Sequence, residues 1–123
     1  MSIDAILEAS RAGMQNERLR MDVASRNVAL ANQPVDPRTL ASNGAAFTSV
    51  LGAQGQPQVV ATRAVLDPGH PLADAQGMVH YPAVDMVQEM TTLLTASRGY
   101  EANVRSFNTL RSMVLKAMEI GAK

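Results

Sequence analysis

Two histidines and two aspartates lie within one short stretch of the chain: Asp67, His70, Asp74 and His80. Carboxylate and imidazole groups are ligands for divalent cations, so this stretch is a candidate metal site for a metal-dependent hydrolase. Two prolines interrupt it, however, and it has neither an HExxH motif nor a helix to fix ligand geometry. We therefore favour a DPGHP turn in which Asp67 binds backbone N–H groups and His70 is solvated. We expect no metal and no cofactor.

The other polar residues lack the patterns of catalysis or phosphate binding. No serine lies in a G-x-S-x-G elbow, and Gly52 and Gly55 do not lead from a strand into a helix, as a phosphate-binding loop would. Asp85 and Glu89 are four residues apart, but acids at the positive end of a helix dipole explain this pair better than acid–base catalysis does. The chain also has no cysteine, hence no thiol nucleophile and no disulfide. We predict a protein that is not an enzyme and binds no small-molecule substrate.

Length and charge restrict the class of protein further. The 123 residues predict a single domain, residues 1–123. The 11 Lys and Arg residues balance 11 Asp and Glu residues, which argues against a nucleic-acid partner. No apolar run approaches the about 20 residues that span a bilayer, so we expect no direct membrane insertion. The first residues, MSIDAILEAS, carry acids where a secretory signal is basic, so we expect no cleaved signal peptide.

Apolar periodicity predicts a long amphipathic helix over residues 2–31, with Ser2 as its N-cap. One apolar residue recurs every seven positions: Leu7, Met14, Met21 and Val28. Residues 33–58 are rich in Gly, Ser, Asn, Gln and Pro, and we predict a flexible loop there. Residues 58–81 begin with the β-branched run QVVATRAVL and end with MVHY, which predicts a small β-hairpin.

A second long helix is predicted over residues 83–120. Two rows repeat every seven residues along it: Met86, Leu93, Tyr100, Phe107 and Val114, and beside them Met90, Ser97, Val104, Arg111 and Met118. The predicted fold class is mainly α, with two long terminal helices in a coiled-coil-like pair, joined by a loop and a small β-hairpin. Two helices and a hairpin cannot bury both rows together with Leu94, Leu110, Met113 and Ile120. The sequence therefore predicts apolar surface that packs against other chains.

The segment 68–121 resembles the FlgC family of flagellar basal-body rod proteins, which form the proximal rod. Its most specific parts are PGHPLAD at 68–74, the spacing of Gly77, Val79, Pro82, Val84 and Asp85, and Glu89-Met90 followed by Ala96, Ser97, Arg98, Tyr100, Ala102 and Asn103. The same family has shorter signatures, to which three further segments are similar: residues 19–23, 27–29 and 47–51. Its N-terminal motif contains two Asn residues, and Asn27 matches the first of them.

The chain departs from the family pattern at three places. Leu30 stands where the N-terminal motif has a second Asn, Ala83 stands where an Asn usually precedes Val-Asp, and the middle of the chain is shorter than in typical members. These departures support an alternative function. In that alternative the chain is a diverged, soluble coiled-coil interaction protein that binds rod or export components without polymerising.

The resemblance implies a structural subunit of the bacterial flagellar rod that builds the motility drive shaft by helix–helix packing. Its implied partners are copies of itself, other rod proteins and the flagellar type III export apparatus, and its implied location is the basal-body rod in the periplasm. The predicted subunit-packing residues lie on both long helices: Leu7, Met14, Met21, Asn27, Val28, Met86, Met90, Leu93, Tyr100, Asn103, Val104, Phe107, Val114 and Met118.

Overall fold

The computed structural model describes residues 2–43 and 46–122. Its elements, in chain order, are α1 (Ile3–Ala31), α2 (Pro37–Asn43), β1 (Ala46–Leu51), β2 (Pro57–Leu66), β3 (Met78–Pro82) and α3 (Met86–Gly121). The long helices α1 and α3 pack against each other, and the three strands form one antiparallel sheet. The predicted mainly α fold, with two long terminal helices joined through a small β structure, is confirmed.

Both long helices begin at a side-chain cap. The predicted cap of α1 is confirmed, because Ser2 Oγ accepts a hydrogen bond from the Ala5 N–H at 3.2 Å. The helix α3 begins at Met86 rather than at residue 83, because Asp85 has extended backbone and its Oδ1 accepts from the Gln88 N–H at 3.2 Å. Asp85 thus supplies the cap that Ala83 cannot, and α3 continues to Gly121.

The segment 33–58, for which a flexible loop is predicted, contains α2 and β1. Pro37 occupies the first position of α2, where its missing N–H costs nothing, and Asp36 Oδ1 accepts from the Arg38 N–H at 2.9 Å. Leu40 anchors this short helix, with its side chain buried. Pro37 therefore starts a helix here. The sequence did not predict this helix, because seven residues are too few to show a helical period.

The predicted hairpin is present as β2 and β3, whose register runs from Thr62 opposite Pro82 to Leu66 opposite Met78. The sheet has a third strand, β1, that the sequence did not predict. It pairs with the first half of β2, between Ala46 opposite Ala61 and Leu51 opposite Pro57. The two halves of β2 thus have different partners.

The sheet is attached to the end of α1. Arg63 on β2 donates from Nη2 to the backbone oxygen of Ala31 at 3.5 Å, and its guanidinium lies 4.7 Å from the centre of the Tyr81 ring. Just after α1, the Val35 N–H donates to the His80 oxygen on β3 at 2.7 Å. These contacts fix the sheet beside the last turn of α1.

The loop between β2 and β3 is organised by Asp74 rather than by Asp67. Asp74 Oδ1 accepts from the N–H groups of Gln76 and Met78 at 2.9 Å each, and Oδ2 lies 2.9 Å from His80 Nε2. The hydrogen bonds from His80, Met78 and Gln76 lower the pKa of Asp74 from its usual value. Asp67 accepts from the His70 N–H through its backbone oxygen at 3.1 Å, so the turn prediction assigned only the side-chain contacts to the wrong aspartate.

The buried core among the described residues is small. Its hydrophobic members are Val23, Ala24, Ala31, Val35, Leu40, Val50, Val79 and Ala96. Most of these side chains are Ala or Val, so each contributes only a modest burial energy. Within 2–43 and 46–122, no helix combines the length and the apolar character that crossing a membrane requires.

Replacing Asp74 by Asn should reduce stability at about pH 7, and this loss should shrink as the pH falls below about 3.8. A carboxyl group whose pKa is lowered by folding stabilises the fold above its unfolded pKa, and that stabilisation is lost as the pH falls through the lower, folded pKa. Urea unfolding of both proteins, from neutral pH downward into the acid range, is the measurement. The exposed Asp67→Asn in the same loop is the control, and a difference from the natural sequence that stays the same at every pH would contradict the prediction.

Candidate functional site: the helix pair and its uncovered apolar surface

The helices α1 and α3 run antiparallel in a fixed register. Gly13 of α1 lies against Asn103 of α3. Four residues further along α1, Glu17 lies against Gly99, which is four residues earlier in α3. Ten residues further still along α1, Asn27 contacts Glu89, which is ten residues earlier in α3 than Gly99. The same register therefore holds over most of α1.

Two glycines allow the helices to approach closely. A Cβ atom on Gly13 would lie 2.9 Å from Asn103 Nδ2, and one on Gly99 would lie 3.0 Å from Glu17 Cδ. Each helix thus places a glycine under a polar side chain of the other. Glu17 also pairs with Arg20 on its own helix at 3.1 Å, which holds the carboxylate in position.

Asn27 joins the helix pair to the sheet. Its side chain is buried, its Nδ2 donates to the Leu51 oxygen at 2.9 Å, and its Oδ1 accepts from the Leu51 N–H at 2.9 Å. The amide thus pairs with the end of β1 as another strand would. Nδ2 also lies 3.4 Å from Glu89 Oε1 on α3, so this one side chain links α1 to both β1 and α3.

The structure separates the predicted packing residues into two groups. Asn27 is buried, and ten others are half-buried along the two helices: Leu7, Met14, Met21, Val28, Leu93, Tyr100, Asn103, Val104, Phe107 and Val114. The remaining three are exposed near the two ends of α3: Met86 (38%), Met90 (55%) and Met118 (65%). The first group contributes to the fold of this chain, and the second is available to a neighbour.

Further exposed apolar side chains enlarge both exposed regions. The first, which we call the N-terminal patch, comprises Met86, Val87, Met90 and Leu94. The second, which we call the C-terminal patch, comprises Met113, Leu115, Met118 and Ile120. Four apolar residues are expected to lie outside the rows; of these, Leu110 is half-buried, and Leu94, Met113 and Ile120 are exposed. Rows of seven select one helix face, so the packing list from the sequence omits the patch residues that lie beside it: Val87, Leu94, Met113, Leu115 and Ile120.

The histidine and aspartate stretch forms a loop rather than a cluster of ligands. His80 pairs with Asp74, and His70 Nδ1 accepts from the Leu72 N–H at 3.0 Å. In the part of the chain that the structure describes, no three His, Cys, Asp or Glu side chains are arranged to hold a metal ion.

The fold and its surface define a helical assembly subunit, in which a paired helix carries apolar patches that its own chain does not cover. Residues 75–120, from the β2–β3 loop through most of α3, match a family model described as flagellar basal body rod FlgEFG protein C-terminal. The chain is 34% identical to the flagellar basal-body rod protein FlgC of Escherichia coli O6:H1, over 98% of this chain and 99% of that protein.

Other bacteria carry similar proteins. The FlgC of Bacillus subtilis strain 168 is also 34% identical, over 94% of this chain and 95% of the relative. The FlgC of Salmonella typhimurium is 32% identical, over 98% and 99% respectively. The chain belongs to the FlgC family of flagellar basal-body rod proteins. It is a structural, non-enzymatic subunit of the rod, and nothing in these similarities favours a non-polymerising interaction protein.

Replacing Asn27 by Ala should destabilise the isolated protein by about 1–3 kcal/mol, because the Leu51 N–H and oxygen would lose their partner inside the fold. Asn16→Ala is the matched control, since Asn16 is exposed on the same helix. Thermal unfolding followed by circular dichroism compares the two variants. Equal midpoints would show that the amide does not hold β1 to the helices.

Proposed function

We propose that the chain enters the rod by packing its two α3 patches against neighbouring rod subunits, both copies of itself and other rod proteins. The observation that carries this proposal is the exposure of large apolar side chains along a helix that is otherwise well paired. Val87 is 77% exposed and Ile120 is 76% exposed, whereas the opposite face of α3 packs on α1. Apolar patches of this kind mark interaction surfaces.

The energy of covering these patches is large enough to drive assembly. Burying one exposed Leu, Val or Met side chain contributes about 1.5–3 kcal/mol, so the eight patch residues supply on the order of 10 kcal/mol before the cost of association. One pair of subunits would recover only part of this energy. Association in dilute solution is therefore weak, and a subunit that touches several neighbours at once is held firmly.

A shaft made of such subunits would transmit torque through its helices. α3 has 36 residues and is about 50 Å long. Packed helices resist twisting because every turn is held by neighbouring side chains at close-packed density. The sheet and α2 lie at one end of the pair and are suited to contacts with adjoining layers of the rod.

We also propose that the chain is exported through the flagellar type III apparatus without a cleaved signal peptide, and that it assembles in the periplasmic part of the rod. The small described core supports export in an unfolded state, because a few buried Ala and Val side chains provide little resistance to unfolding. The absence of cysteine supports it too, since no disulfide can trap a folded form during transit.

Leu94→Glu should abolish swimming and rod completion while export of the chain continues, because a charge in the N-terminal patch cannot be buried against a neighbour without a large penalty. The matched control is Thr95→Glu, which places the same charge on the next exposed residue and should leave swimming close to normal. Swarming assays, the amount of chain exported and the composition of purified basal bodies are the readouts. Normal swimming with complete rods in Leu94→Glu would refute the proposed packing surface.

The purified chain should be monomeric, and residues 114–121 should exchange their amide hydrogens at least about tenfold faster than residues 89–103. The inner segment is covered by α1, whereas the outer one extends beyond it, so opening of the outer segment costs less free energy. Hydrogen exchange with mass spectrometry tests both segments, first in the free chain and then in purified basal bodies. Uniform protection to the end of α3 in the free chain would contradict the need for a neighbour.

A further inference from the structure

The apolar rows of α3 are longer than the helix that covers them. The register set by Gly13 with Asn103 and by Asn27 with Glu89 places Ile3, the first residue of α1, opposite Met113. About two turns of α3, residues 114–121, therefore extend beyond α1. We call this segment the overhang.

The overhang is apolar on two sides. Successive residues of a helix are separated by about 100°, so Leu115 and Met118 share one face, whereas Ile120 lies about 140–160° away from both. All three are exposed in the single chain. A helix that is apolar around most of its circumference is stable when it is surrounded, so the overhang requires more than one covering surface.

The two ends of α3 repeat the same pattern. Val87 and Leu115 are 28 residues apart, and so are Met90 and Met118. This separation is four heptads, so the two residues of each pair occupy the same heptad position. If a second α3-like helix ran parallel to the first and were displaced by 28 residues, about 40 Å, its N-terminal patch would meet the overhang with its heptads in register.

The charges at the two ends are complementary in this arrangement. Lys116 on the overhang would lie beside position 88 of the second helix, within one turn of the exposed Asp85. Glu119 would lie beside Thr91 and would meet no carboxylate at that position. The negative end of one helix dipole would also lie beside the positive end of the next. These charges would favour the parallel, displaced arrangement over a random orientation.

We propose that the overhang docks on the N-terminal patch of the C-terminal helix in the next rod subunit, parallel to it and displaced by four heptads. The proposal rests on the proposed function and specifies which two surfaces meet. The two surfaces are different, so the contact does not close on itself and repeats along the shaft. The partner is a rod-family C-terminal helix that has apolar heptads and an exposed acid in its first turn.

The test is photo-cross-linking in cells, with a photoreactive amino acid in place of Met118. After irradiation, basal bodies are purified and the cross-linked peptides are identified by mass spectrometry. The expected product joins position 118 to the first three turns of a rod protein's C-terminal helix, equivalent to residues 86–94 here. The same probe at Met90 should capture the last turns of such a helix.

Thr109 is the matched control position, because it is exposed in the middle of α3, between the two patches. The probe there should give this product in several-fold lower yield. The docking proposal would be overturned if position 118 gave cross-links only to an N-terminal helix, to a sheet, or to a protein outside the rod, without the expected product. Equal yields of that product at positions 109 and 118 would overturn it too. If the variant with the probe at Met118 does not enter the rod, the probe is placed at Leu115 instead. If neither variant enters the rod, the result with the probe at Met90 decides the test.

Two failures are distinguishable. If the chain is present in purified basal bodies and the cells swim, but the cross-links map elsewhere, only the pairing of the two surfaces is wrong. If the natural chain is absent from basal bodies of swimming cells, the proposed function itself is wrong.

Discussion

The rest of the structure depends on the antiparallel register of α1 and α3. Asn103 over Gly13 and Glu17 over Gly99 let the helices approach closely in the middle, and Asn27 with Glu89 continues the same alignment toward the sheet. This register determines which apolar residues are covered and where α3 continues without a partner. A shift of one helical turn would change the length of the overhang and would move Asn27 away from Leu51.

The sequence predicted the long helices, the cap at Ser2 and the β2–β3 hairpin, because each leaves a local signal. A helix of about 30 residues shows many turns of its apolar period, and β-branched runs beside a Gly- and Pro-rich turn indicate a hairpin. The prediction of apolar surface beyond the capacity of the fold agrees with the exposed patches at both ends of α3. The helices, the cap and the hairpin depend on residues that are close in sequence, and the excess of apolar surface follows from the number of apolar residues. Both kinds of information are present in the sequence itself.

The remaining features depend on contacts distant in sequence. β1 is a strand of only six residues, AFTSVL, in a Gly-, Ser- and Gln-rich segment, and it is held by pairing with β2 and by Asn27, 24 residues before Leu51. No local pattern shows that an Asn in a helix will pair with a strand end. Likewise, Asp67 and Asp74 are both plausible turn formers, and only the position of His80 and Met78 selects Asp74. To predict which packing residues are covered and which are exposed, one must know how far α1 extends along α3.

The antiparallel pair leaves the middle of the chain outside the helix alignment. Residues 31 and 85 leave and re-enter the pair beside the sheet, so everything between them is an excursion from a fixed base. Lengthening or shortening that excursion leaves the helix alignment intact. Alignments of this 123-residue chain with FlgC relatives extend over 133 to 143 positions, so those proteins carry additional residues, and the excursion is the part of this fold that can accommodate such residues without moving the helices.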